Sequence, residues 1–342
     1  MEEHDDLALS AYTTLGLGGP ATRMVTAYDE AEIVEAVRAA TGEVLVLGGG
    51  SNVVIADEGF DGTVVRIASH GRTTSRDGDA VSLEVAAGES WDDLVTWCVG
   101  EQLAGVECLA GIPGLVGATP IQNVGAYGQD VAETVVSVRA YDRQTDEVCV
   151  VDDCGFAYRS SRFKSEAPRW VVLSVTYRLQ QTAQSRPIRY AELARALGVE
   201  VGKTAPLVQV RDAVLSLRRR KGMVLDPNDV DTRSAGSFFT NPLLTPAQLG
   251  TLQGRGIEPP TYPEREGRAK VPAAWLIEQA GFTKGDFDGP VGISSKHALA
   301  LVNRGGARTA DLLAVARTIR DRVRDQFGVD LVPEPVLVGV EL

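Results

Sequence analysis

The chain reads as an α+β protein, a strand-rich domain followed by a second domain richer in helices. Three observations predict this. Runs enriched in β-branched residues follow one another without a regular strand-helix alternation. The polar stretch Q-Q-T-A-Q-S-R-P at 180–187 ends in proline and divides the chain where composition shifts toward helix formers. Between these strands, residues 111–128 (G-I-P-G-L-V-G-A-T-P-I-Q-N-V-G-A-Y-G) hold five glycines and two prolines in eighteen residues, which excludes a helix or a buried strand.

The elements follow in order. Asp29 is placed to cap a helix over 30–40, whose apolar face is Ile33, Val34 and Val37. Strands are expected at 44–47, 63–67, 81–86, 135–141, 147–151 and 171–179, with one helix between 91 and 102. In the second half the pattern predicts a helix over 206–221 with Thr204 as cap and a strand at 237–240. Further helices are expected at 246–253, 272–280 and 309–327, with Gly281 stopping the second of these three. No internal repeat or low-complexity run interrupts this.

Composition narrows the function. At 342 residues, 44% hydrophobic and 23% charged, the chain can form two or three domains. No apolar stretch approaches the roughly 18–20 residues of a membrane span, and the acidic start (M-E-E-H-D-D) is unlike a basic signal peptide, so a cytoplasmic location is expected. The formal charge of −12 disfavours nucleic acid as a partner, and the short basic run Arg218-Arg219-Arg220-Lys221 suits a local anion site. Cys98, Cys108, Cys149 and Cys154 form no C-x-x-C pair. With only His4, His70 and His297 beside them there is no case for a metal, and reduced thiols are the default.

Two glycine segments carry chemistry. The segment 111–128 is a long, rigid main-chain surface suited to a flat polar cofactor, and its Ile112, Leu115, Val116, Ile121 and Val124 argue against disorder. An ordinary surface loop is the alternative reading. Upstream, 44–47 runs into Gly48-Gly49-Gly50-Ser51-Asn52 and then Val53-Val54-Ile55, a strand, a glycine turn and a second strand. Successive amides in such a turn can bind a phosphate oxygen, although a plain turn has the same look. The spacing matches neither G-x-G-x-x-G nor the P-loop.

Taken together, G-G-G-S-N-V at 48–53, A-G-E-S-W at 87–91 and the segment 111–128 resemble the FAD-binding (PCMH-type) domain of the vanillyl-alcohol-oxidase-like flavoproteins. With Y-R-S-S-R-F-K at 158–164 and S-A-G-S-F-F-T-N-P at 234–242, the chain resembles the UDP-N-acetylenolpyruvoylglucosamine reductase family from residue 13 to residue 335. The resemblance implies noncovalent FAD, reduced by NADPH, and a hydride delivered to an enolpyruvyl ether in a sugar-nucleotide substrate of peptidoglycan synthesis. It implies an N-terminal tail at 1–12, a PCMH-type FAD-binding domain at 13–182, and a loop with connecting helix at 183–220. A substrate-binding domain at 221–332 and a C-terminal strand at 333–342 would follow, in a protein expected to be a monomer.

The same resemblance assigns residues. Arg159 would stabilise the substrate carboxylate, Ser237 would protonate the carbanion and Glu334 would hydrogen-bond the developing dianion. For FAD it points to Gly48, Gly49, Gly50, Ser51, Asn52, Ile112, Pro113, Gly114, Gly117, Ala118, Gln122, Asn123, Gly125, Ala126, Tyr127 and Gly128. For the sugar nucleotide it points to Tyr127, Tyr190, Lys221, Asn241, Tyr262 and Lys270. Tyr190, in the segment 188–193, resembles the tyrosine of the covering loop in the type I subclass. Two residues beyond the usual spacing lie between Lys221 and Asp226, and V-P-E-P at 332–335 leaves one candidate glutamate.

Two other readings stay open on sequence. An oxidase on the same flavin fold would need an active-site base and often a histidine or cysteine joined to the flavin, and neither His4 nor His70 lies in a glycine motif. A nonenzymatic flavin-binding relative would have no need of Arg159, Ser237 and Glu334 together.

Overall fold

The computed structural model describes residues 1–342, which divide into two compact units. The first comprises Met1–Leu7, Ala21–Gly50 and Asp61–Val224, and the second Ala8–Pro20, Ser51–Phe60 and Leu225–Leu342.

The first unit is built on two sheets. One orders its strands Glu2–Ala8, Pro20–Ala27, Phe60–Ile67 and Glu43–Leu47, the last two parallel with Val44 opposite Thr63. The helix Glu30–Ala39 starts where expected, because the Asp29 carboxylate accepts the Glu32 N–H at 2.8 Å and supplies a partner for an otherwise orphaned donor. The second sheet is antiparallel and orders Glu147–Val151, Val135–Asp142, Trp170–Gln181, Ala80–Ala86 and Arg72–Asp77, with the short strand Leu103–Ala104 also on Trp170–Gln181. One apolar core, including Val25, Val65, Leu83, Trp91, Leu109, Val138 and Tyr177, serves both sheets. The helices Trp91–Gly100, Ala191–Leu197 and Leu207–Arg220 complete the unit.

In the second unit the helix Thr309–Phe327 lays Leu312, Leu313, Ala316, Ile319 and Val323 into the core and stops at Gly328 in the left-handed region. Its first amides are satisfied from a distance: Thr309 N–H and Ala310 N–H donate to the Asp57 carboxylate at 2.7 and 3.0 Å. Val336–Val338 pairs parallel with Val53–Ile55, and Val291–Ile293 pairs antiparallel with Leu301–Asn303. A three-stranded sheet orders Leu243–Leu244, Ala269–Lys270 and Tyr262–Pro263. The helix Pro246–Gly254, behind a Thr245/Gln248 capping box, packs beside Leu243–Leu244, and Ala273–Gln279 packs on the helix Thr309–Phe327.

Several elements differ from the sequence reading. Residues 2–8 and 72–77 are strands although their side chains are polar and largely exposed; main-chain pairing to a neighbouring strand forms them, and no apolar alternation marks them. The helix expected at 206–221 is Leu207–Arg220, and its N-cap residue is Pro206, not Thr204, with no side chain capping it. The stretch 237–240 is extended but forms only isolated pairs, Ser237 with Ala300 and Phe239 with Pro333. The four cysteines are unbridged, and no helix is long and apolar enough to cross a membrane.

Candidate active site

The glycine segments of the first unit lie main chain against main chain. A methyl added to Gly49 would meet Gly114 Cα at 2.9 Å, and one added to Gly117 would meet Ala87 Cβ at 2.6 Å, so only glycine permits either approach. Residues 87–91 zip onto the segment: Gly117 N–H donates to Ala87 O (2.9 Å), Val116 N–H to Glu89 O (2.9 Å) and Trp91 N–H to Gly114 O (3.1 Å). Thr119, buried, joins its hydroxyl to Tyr177 at 2.9 Å and ties the segment to the antiparallel sheet. Ile112 and Ala126 pack against the core, and Pro113 and Ala118 occupy the same run.

Beyond this cradle the segment ends in a hairpin, Gly125–Ala126 paired with Gln129–Asp130. Its two turn residues, Tyr127 (φ 51°) and Gly128 (φ 81°), are both left-handed, as a two-residue hairpin with matching twist requires. Asparagine usually stands where Tyr127 does. The Tyr127 ring meets the Tyr190 ring edge-on with centroids 5.5 Å apart, and Lys221 Nζ lies 5.6 Å from its centroid. Burial pushes the Tyr127 hydroxyl above its usual pKa. Lys221 also pairs with Glu192 at 2.7 Å. Three of the six substrate residues named from sequence are thus brought together. Tyr190 stands at the start of the helix Ala191–Leu197, so the segment expected as a loop is helical from residue 191.

Gln122 and Asn123, assigned to FAD by resemblance, make protein contacts through their side chains. Gln122 Oε1 accepts from Lys164 Nζ at 2.9 Å, and Asn123 donates to Ala157 O at 2.9 Å while accepting Ala132 N–H at 3.2 Å. Asn123 thus binds the turn that carries Arg159 directly, and Gln122 reaches it through Lys164, which also donates to Arg159 O at 3.1 Å. In that turn Ala157 and Ser160 exchange two main-chain hydrogen bonds, and Arg159 has φ 52°. Asp130 lies near enough to feel the Arg159 charge, although burial dominates and raises its pKa.

The second unit gathers the other residues. Main-chain bonds run from Phe238 N–H to Leu299 O (2.7 Å) and from Glu334 N–H to Phe238 O (2.8 Å), so Ser237 and Glu334 lie on adjacent extended segments. Gly236, at φ 73°, turns the chain into this position. Asn52 donates through its side chain to Glu334 O at 3.4 Å, and its own carbonyl accepts Val336 N–H at 3.0 Å. Gly48, Gly49 and Gly50 of the turn belong to the first unit, Ser51 and Asn52 to the second. Tyr262 and Lys270 are direct cross-strand partners, with Lys270 paired to Glu264 at 2.6 Å. Asn241, two residues before the strand that pairs with Lys270, accepts the Ala273 N–H at 2.9 Å and so satisfies a helix terminus.

The comparisons with known proteins decide the family. Residues 226–338 match the model of the UDP-N-acetylenolpyruvoylglucosamine reductase C-terminal domain, and residues 21–151 match that of an FAD binding domain. A UDP-N-acetylenolpyruvoylglucosamine reductase of Thermobifida fusca is 56% identical, covering 98% of each chain. That of Streptomyces coelicolor is 55% identical over all of this chain and 92% of its own. This chain belongs to the UDP-N-acetylenolpyruvoylglucosamine reductase family. The crystal structure of the Thermus caldophilus member superposes with a TM-score of 0.66 at 26% identity, covering 98% of each chain.

As a member of the UDP-N-acetylenolpyruvoylglucosamine reductase family with an FAD-binding domain, the protein is a flavin-dependent oxidoreductase. Its residues fit the cofactor. The paired glycine segments carry no side chain where they pack main chain against main chain, and a buried donor stands beside them: Arg218 Nε, 3.5 Å from where a Gly111 Cβ would be, has no hydrogen-bond partner. The residue as a whole is only half-buried, but the desolvated guanidinium is pulled down to about 10. An anionic or carbonyl acceptor would satisfy it. The basic run 218–221 signalled this residue in the sequence; the cradle it faces could be located only in the fold.

Proposed function

We propose that this chain reduces the enolpyruvyl group of UDP-N-acetylglucosamine enolpyruvate to give UDP-N-acetylmuramate, in peptidoglycan precursor synthesis. The observation that carries the reading is the joining of the Ser237 and Glu334 segments through Phe238, in a chain whose relatives bear the reductase name along their whole length. FAD, when bound, takes two electrons from NADPH and supplies them as a hydride to the terminal carbon of the enolpyruvyl double bond.

The residues supply charge stabilisation and the proton. Negative charge builds on the substrate carboxylate as the double bond is consumed, and Arg159 meets it with a permanently charged, two-pronged donor. Ser237 Oγ gives its proton to the carbon next to the carboxylate and recovers one from solvent, so one hydride and one proton add across the double bond. Glu334, in its acid form, donates a hydrogen bond to the developing dianion. The resemblance assigns Tyr127, Tyr190, Lys221, Asn241, Tyr262 and Lys270 to the sugar nucleotide. The Tyr190 segment makes this a type I enzyme, and we place it in the cytoplasm as a monomer.

We read the attachment as noncovalent, in keeping with four thiols that burial pushes up, Cys98 to about 12 and Cys154 to about 11 among them, and so away from the reactive thiolate. His70 lies 3.7 Å from Glu89 of the 87–91 motif. The test is NADPH oxidation by the purified yellow protein, which is expected only with the enolpyruvyl sugar nucleotide present and with release of free FAD on denaturation. Oxygen consumption with a hydroxy acid or alcohol would turn the reading to an oxidase, and flavin left on the precipitated chain would point to His70.

A further inference from the structure

Arg159 sits in an unfavourable conformation. It is the third residue of the turn Ala157 to Ser160, a position where φ near +50° is normally taken by glycine or asparagine. An arginine kept there costs on the order of 1–2 kcal/mol and persists only if its surroundings over-determine it. The surroundings are four side-chain hydrogen bonds. Asn123 donates to Ala157 O (2.9 Å), and Ser161 Oγ donates to Ile121 O (2.8 Å) while capping the short helix Arg162–Ser165. Lys164, in that helix, donates through Nζ both to Arg159 O (3.1 Å) and to Gln122 Oε1 (2.9 Å).

We infer that Lys164 is a positioning residue for Arg159: its ammonium pins the Arg159 carbonyl to Gln122 of the flavin-binding segment and so holds the guanidinium in its working direction. The inference rests on the reading of Arg159 as the group that meets the substrate carboxylate. Physical necessity links the two ends of the residue. Once φ is fixed in the left-handed region and the carbonyl is tethered, the Cα–Cβ direction is set, and a released carbonyl would let the turn relax to ordinary dihedrals and swing the side chain away. A turn built on residues 121–123 also ties the arginine to the segment that holds the cofactor, so the reacting partners share one frame.

The experiment is rapid mixing on the FAD-loaded enzyme, with reduction by NADPH and reoxidation by the enolpyruvyl sugar nucleotide measured separately. Lys164→Met is expected to keep its FAD and its reduction rate but to reoxidise about 10²-fold more slowly, the scale of a misplaced catalytic group. Lys164→Arg, which retains a charged donor, is expected to recover part of the loss. A Lys164→Met change made in an Arg159→Met background is expected to add no further slowing, because the lysine acts through the arginine. Additive losses, loss of FAD, or a normal reoxidation rate in Lys164→Met overturn the inference. Should the methionine variant not fold, Lys164→Gln, too short to reach both acceptors, takes its place under the same criteria. Arg159→Met alone reoxidising normally would sink the reading of Arg159 itself, an outcome distinct from the others.

Discussion

Asn52 and Glu334, 282 residues apart, are joined by a hydrogen bond from the asparagine side chain to the glutamate carbonyl at 3.4 Å. The Glu334 N–H is held as well, by Phe238 O at 2.8 Å. With both main-chain groups tied and Pro333 and Pro335 on either side, the backbone that aims the Glu334 carboxyl has little freedom. The last residue of the glycine turn thus helps to place the glutamate, and Phe238 fixes it beside the Ser237 segment.

Ser237→Ala removes one oxygen and no charge. Reduction of the bound flavin by NADPH is expected at the normal rate, with reoxidation by substrate slowed ~10²- to 10⁴-fold, the usual weight of general acid catalysis. Ser237→Cys, keeping a proton at nearly the same place, is expected to regain part of it. Separate stopped-flow measurement of the two half-reactions decides: normal reoxidation of the alanine variant removes Ser237 from the chemistry.

Tyr190→Phe keeps the edge contact with Tyr127 and loses only the hydroxyl. Substrate binding is expected to weaken about tenfold, the scale of a lost hydrogen bond, with flavin reduction by NADPH nearly unchanged. Titration of substrate into the oxidised enzyme, followed by flavin absorbance, reads the first quantity. Equal loss in both would place Tyr190 in the fold or at the flavin.

Gly49→Ala and Gly48→Ala make a matched pair. At Gly49 the new methyl meets Gly114 Cα at 2.9 Å, where main chain must move; at Gly48 it meets only the Leu115 side chain at 3.5 Å, an ordinary contact. Gly49→Ala is expected to destabilise the apoprotein by about 1–3 kcal/mol, the cost of overpacking, and Gly48→Ala by less than half of that. Urea unfolding of both apoproteins tests it, and equal midpoints would show that the glycine segments do not pack as described.

Acid should expose a buried ion pair. Asp142, 3% exposed, receives Arg169 Nε and Nη2 at 2.9 and 2.6 Å, and these bonds hold its carboxyl at about 2 against an ordinary 3.8. A depressed folded-state pKa stabilises the protein fully above the unfolded value and is lost as pH falls through the folded one. The stability gap between wild type and Arg169→Met is therefore expected to be constant from pH 7 to about 5 and to shrink from about pH 4 toward 2. Denaturant midpoints along that series check the trend. A gap that stays constant to pH 2.5 assigns the loss to packing of Arg169 on the Trp170 ring, 4.3 Å away.

Local signals were legible where one residue suffices to impose a conformation. Asp29 caps its helix, Thr309–Phe327 carries a 3.6-residue apolar period to its stop at Gly328, and the apolar strands at the centre of the antiparallel sheet announce themselves by β-branching. Arg72–Asp77 gave no such signal, because an edge strand needs only main-chain partners, here Ala80–Ala86. Nor could the protein partners of Gln122 and Asn123 be read from their motif, because Lys164 and Ala157 lie 42 and 34 residues away and only the fold brings them to these amides.

By itself the sequence determined the α+β class and the family, and it pointed to the glycine segments and residue types of the proposed site, since glycine spacing and motif order are properties of the chain as written. The tertiary structure alone decided what those residues do to one another. It set Glu334 on Phe238 and Asn52, placed Tyr127 between Tyr190 and Lys221, and held Arg159 through Lys164. Apart from the neighbouring Lys164, these partners lie tens to hundreds of residues apart. Their meeting depends on loop closure and main-chain pairing, whose free energy comes from the whole fold and leaves no mark in any short window of sequence.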